Sequence, residues 1–202
     1  MGTPEIKNLS FQRYMNYLTE KTKNNPKGFE ISEGKKEMKD VLYDLADISD
    51  CQDFERRLTR YLSRCQYKIK PFESGLHKRQ FKSQIARMKR NDKDFLAAIY
   101  LLTAEEKTWN AVREYVTEDG IKYDLVNPVP TNDGYTLFQL ARDITQGTNH
   151  ITLKDISNLR TIKPQMFLVI CKALAITSFG SGAIGIVPED NDEGVIIFNV
   201  NA

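Results

Sequence analysis

The chain has 202 residues, 41% of them hydrophobic and 28% charged, with a net charge of +2. That is an ordinary globular composition, long enough to bury a core without staples. No apolar run reaches the ~18 residues of a membrane span. The three cysteines, Cys51, Cys65 and Cys171, show no CxxC spacing and fit free thiols in a reducing compartment. A cytoplasmic protein without membrane association is therefore expected, and the N-terminus lacks the basic and apolar regions of a signal peptide.

Taken in order, Leu9 to Lys23 predicts a helix, with Phe11, Tyr14, Met15 and Leu18 on one face. Asn24 to Gly28 ends it. A second helix is expected from Ser32 to about Ile48, with Met38, Val41, Leu42 and Leu45 inward and Asp40, Asp44 and Asp47 outward. Ser49 or Asp50 then starts a helix over 54–67, with Phe54, Leu58, Tyr61 and Leu62 on one face and arginines over much of the rest. Pro71 interrupts the pattern, and Ser74 opens a basic helix reaching Arg90, with Phe81, Ile85 and Met88 as its inner stripe.

Phe95 to Leu102 is apolar at every position, so a helix there must be buried on most sides. Asn91 is its expected N-cap. Thr103-Ala104-Glu105-Glu106 has the letters of a capping box, which predicts a further helix from Thr103 carrying Trp109, Val112 and Val116. Residues 121–126 alternate like a short strand, and 127–134 read as a loop. Helices resume at 135–146 and 152–159, the latter with Thr152 and Asp155 as a capping pair. Pro164 suits the first turn of a second core helix, 165–177. Apolar runs at 183–187 and 195–200 flank a polar turn and predict a hairpin. The expected architecture is mainly α, a bundle-like arrangement of seven or eight helices with a small C-terminal β-hairpin. A basic helical region, 1–93, precedes a core region, 94–202, in one compact domain.

Charge is unevenly spread. Residues 1–100 hold 21 Lys and Arg against 14 Asp and Glu, residues 101–202 hold 8 against 13, and residues 51–93 hold 13 against 4. Such asymmetry points to an anionic partner. The candidate binding residues are Arg56, Arg57, Arg60, Arg64, Lys78, Arg79, Lys82, Arg87, Lys89 and Arg90. Lys and Arg faces bind phosphate backbones through counterion release, and an acidic protein surface satisfies them equally well. The alternative is a solvated face that neutralises the acidic helix before it.

Other motifs lead elsewhere. Gly180-Ser181-Gly182-Ala183-Ile184-Gly185 spells GxGxxG, but a helix precedes it where a dinucleotide site needs a strand. Its glycines are expected to cap that helix and turn the chain into a strand. Asp190, Asp192 and Gly194 lack the remaining ligands of a calcium loop. Residues 152–176 have the outline of a helix-turn-helix, yet the second helix is too apolar to enter a groove. No GxSxG, HExxH or Walker motif occurs, and His77 and His150 are the only histidines. No catalytic residue, cofactor or metal is expected. The reading is a non-catalytic binding or regulatory protein engaging nucleic acid or an acidic protein. The alternatives are an enzyme with an unrecognised motif, or an assembly subunit pairing through the hairpin.

Overall fold

A computed structural model describes residues 37–49, 51–89, 92–127 and 129–185, and the backbone of 188–189 and 197–198. The expected helix at 9–23, its terminating turn, the Ser32 start, Asp50, Asn91 and the acidic turn at 190–194 lie outside these residues.

Eight α-helices are present among the described residues: α1 (Met38–Asp47), α2 (Gln52–Arg64), α3 (Gly75–Ile85), α4 (Lys93–Thr103), α5 (Glu106–Val112), α6 (Asn132–Gln146), α7 (Leu153–Ser157) and α8 (Pro164–Phe179). Two short antiparallel ribbons accompany them. β1 (Val116–Thr117) pairs with β2 (Gly120–Ile121), and β3 (Pro188–Glu189) pairs with β4 (Ile197–Phe198) in the register Pro188 to Phe198 and Glu189 to Ile197. The molecule is mainly α with a small β-hairpin, as its periodicities predict.

The core forms around α4. Every residue from Phe95 to Thr103 is buried, and α4 packs most extensively on α6 and α8. α8 is buried from Met166 through Ser178, so it too is enclosed on all sides. Each Phe, Leu or Ile fully withdrawn from water contributes about 1.5–3 kcal/mol, which makes this helix pair the main driving force of the fold. α1 lies against α8 and α2, α2 against α7, and α3 against α4. Core residues from Met38 to Ile85 and from Phe95 to Ile184 join one cluster.

Local signals account for several boundaries. Ser74 caps α3 by accepting the His77 N–H. Thr152 and Asp155 form a reciprocal capping box on α7, and Pro164 occupies the first turn of α8. Gly180 ends α8 at φ +79°, a conformation that glycine adopts at little cost.

Other expectations are corrected. α4 is capped by Asp92, whose side chain accepts the Phe95 N–H. Thr103 starts no new helix: it is the last residue of α4, and its hydroxyl donates back to the Ile99 carbonyl. α5 begins instead after Glu105. Residues 121–126 make no strand beyond Ile121, because Tyr123–Leu125 turn into a 3-10 helix. The presumed loop 127–134 ends early, since Thr131 caps α6 through the Gly134 N–H. Ala183 and Ile184 belong to a 3-10 turn, Ser181–Ile184, rather than to a strand. The basic helix stops at Ile85, short of Arg90.

A basic cleft between two helices

α2 sets one wall of a cleft of about 570 Å³. Its apolar residues Phe54, Leu58 and Leu62 are buried, and Phe54 meets Phe167 of α8 edge to face at 5.7 Å. That docking turns the opposite side of α2 outward. Arg56, Arg60 and Arg64 recur there every four residues, and all three line the cleft. Lys154, Ser157, Asn158, Leu159 and Pro164 form the facing wall, from α7 and the turn into α8. The Ser157 hydroxyl has no hydrogen-bond partner among the described residues.

The end of α2 is shaped by the chain that follows. Cys65 Sγ donates to the Tyr67 carbonyl at 3.3 Å, and Lys39 Nζ to the Cys65 carbonyl at 3.1 Å. This folds the backbone so that Tyr67 sits beside Tyr61, their hydroxyls 3.3 Å apart. Burial, then this hydrogen bond, raises the Tyr61 pKa well above its ordinary value. Tyr67 and Leu159, which both line the cleft, stay 66% and 65% exposed. An exposed aromatic and an exposed aliphatic flanking a row of cations form an amphipathic surface.

Arg57 also lines the cleft, but its guanidinium is engaged by the protein itself. It is 8% exposed, with its guanidinium 4.0 Å above the Phe167 ring. It donates to the carbonyls of Ile156, Asn158 and Ile162. A planar fork of donors suits such a set of acceptors. Burial lowers its pKa from the ordinary value, yet arginine stays charged. Arg57 therefore staples the α7–α8 turn to α2 and holds the two walls at a fixed separation.

The remaining sequence-predicted cations divide. Lys78, Arg79 and Lys82 lie on α3, which packs on α4, and none of them lines the cleft. Burial, followed by the charge of Lys78, lowers the Lys82 pKa. Lys89 is paired with Glu118 at 2.6 Å, Arg87 is exposed beyond the end of α3, and Arg90 lies outside the described residues. In the cleft, Arg56 reaches Asp53 at 3.5 Å, whereas no described carboxylate pairs with Arg60, Arg64 or Lys154. A second, more open hollow of about 660 Å³ on the adjoining side of α2, lined by Gln52, Glu55, Thr59 and Ser63, shares Arg56, Arg60 and Arg64.

Both histidines are held by contacts within the fold. His77 is buried between the Tyr100 carbonyl and the Glu73 N–H, at 3.0 and 3.3 Å. His150 packs against Asp143, whose buried carboxylate also accepts the backbone N–H groups of His150 and Ile151 and the Thr148 hydroxyl. Among the described residues no cluster of three or more His, Cys, Asp or Glu is placed to hold a metal. No described helix is long and apolar enough to cross a membrane.

The fold and cleft define a mainly α protein with a preformed cationic, amphipathic groove. No protein-family model, curated protein or solved structure matches the chain.

Proposed function

We propose that this is a non-catalytic binding or regulatory protein of the cytoplasm that engages an anionic partner, an acidic protein surface or a nucleic acid, through the α2 cleft. One observation carries the reading. Arg56, Arg60, Arg64 and Lys154 converge on a single concave surface, and three of the four have no carboxylate to neutralise them among the described residues. Like charges held together repel, and an anion relieves that repulsion. The walls are set by buried contacts, so ordering on binding falls on the exposed side chains rather than on the backbone.

The test is fluorescence anisotropy of labelled poly-glutamate, single-stranded RNA and duplex DNA over a range of salt. The expected result is binding of at least one polyanion, weakening as salt rises, and lost on joint Arg60→Glu and Arg64→Glu substitution. Absence of binding to every probe at low salt overturns the reading.

A further inference from the structure

We infer that the occupant of the cleft is an extended acidic peptide segment of a partner protein, with carboxylates alternating with apolar side chains. This rests on the anion-binding reading above and specifies its ligand. Three features of the cleft carry it.

The first is spacing. Successive arginines at 56, 60 and 64 are four residues apart on α2, which is ~6 Å along a helix axis. An extended chain places every second side chain on the same side at ~6.5 Å. Two or three carboxylates at alternate positions can therefore each meet one arginine. The stripe from Arg56 to Arg64 is ~12 Å long, the span of about five extended residues.

The second is the apolar share. Four large hydrophobic side chains are markedly exposed among the described residues, and two of them, Tyr67 and Leu159, flank this cleft. Pro164 adds to the same wall. Exposed apolar groups grouped at a concave site mark contact with another apolar surface, and the side chains between the carboxylates of such a peptide provide one.

The third is a poor match to nucleic acid. Single-strand binders stack successive bases on several aromatic rings. Here one markedly exposed aromatic, Tyr67, borders the cations. Asp53, which also lines the cleft, repels a continuous phosphate chain more than a segment whose charges are intermittent.

Selection from a random peptide library displayed on phage, against the full-length protein, tests the inference. The expected consensus has Asp or Glu at alternate positions with Leu, Ile, Phe or Tyr between or beside them. A synthetic peptide of that consensus should bind at physiological salt. Its affinity should fall at least about a hundred-fold on joint Arg60→Glu and Arg64→Glu substitution, since opposed like charges in an interface cost several kcal/mol. It should fall at least about ten-fold when its apolar residues become Ser, the affinity that burying one such side chain contributes. Stability of the variant, measured alongside, separates lost binding from lost fold, and Arg60→Gln with Arg64→Gln gives a milder second variant. A consensus without alternating carboxylates, or tighter binding of single-stranded RNA through the same arginines at physiological salt, overturns the peptide inference while leaving the anion-binding reading standing. Failure of poly-glutamate, RNA and DNA alike overturns both.

Discussion

Replacing Arg57 by Ala should destabilise the protein by about 3–4 kcal/mol. The side chain supplies three donors to backbone carbonyls, and two of those bonds, to Ile156 and Ile162, are buried. Each buried acceptor left without its donor costs about 1–3 kcal/mol. Loss of the stack on Phe167 adds about 1 kcal/mol. Relief from burying a guanidinium offsets part of this. Against a typical folding stability of about 5–15 kcal/mol, the loss is large. Arg57→Lys should cost about half as much, because an ammonium keeps the charge but loses the fork and the stack. Urea unfolding followed by circular dichroism and by Trp109 fluorescence provides the measurement, Trp109 being buried in the native state. A loss under about 1 kcal/mol for Arg57→Ala, the scale of a surface substitution, would refute the staple. So would a Lys variant of native stability that no longer binds anions, since Arg57 would then be a ligand contact.

Three further outcomes are expected. Burial pushes the His77 pKa down to about 4 from an ordinary 6.5; the unfolded chain takes up a proton between those values and the folded protein does not. The contribution of His77 is complete above pH ~6.5 and shrinks by up to about 3 kcal/mol as pH falls toward 4, so urea midpoints should drop over that window less steeply in His77→Gln than in the wild type. Lys172 is 2% exposed and pairs with Glu73, whose side chain is 29% exposed. Glu73→Gln strands a buried ammonium and should cost about 3 kcal/mol, whereas Lys172→Met leaves a carboxylate that water can reach and should cost far less; equal losses in denaturation would contradict this. Gly134→Ala places a methyl against Thr108, Glu105 and Thr131, where the two hydroxyls donate to the Glu105 carboxylate. Thermal unfolding should show a loss of about 1–3 kcal/mol.

Much of the fold is legible because its determinants are local. The unbroken apolar run 95–102 can only be a buried helix, and Ser74, Thr152 with Asp155, and Pro164 mark helix starts within three residues of themselves. The misreadings are also local in origin. Thr103 has the letters of a cap, but its hydroxyl serves its own helix. Asn132-Asp133-Gly134 suits a turn or a first helical turn equally well, and the hydroxyl pair at Glu105 decides between them. Of the site, Arg56, Arg60 and Arg64 are readable as one stripe. Charge alone does not separate Arg57 from them. Its spacing holds a clue, since it lies three residues after Phe54 and four before Tyr61, on the inward side. The facing wall is not readable, because Lys154 and Leu159 reach α2 only through the packing of α7 against it.

The most direct test of the cleft as the binding surface is to titrate the isotope-labelled protein with a short poly-glutamate peptide at low ionic strength and follow its amide spectrum. The expected shifts are concentrated at residues 53–67 and 154–164, with α3 unaffected. Shifts centred on Lys78, Arg79 and Lys82 would place the anion site on the other basic helix, and an unchanged spectrum would deny that the protein binds acidic chains at all.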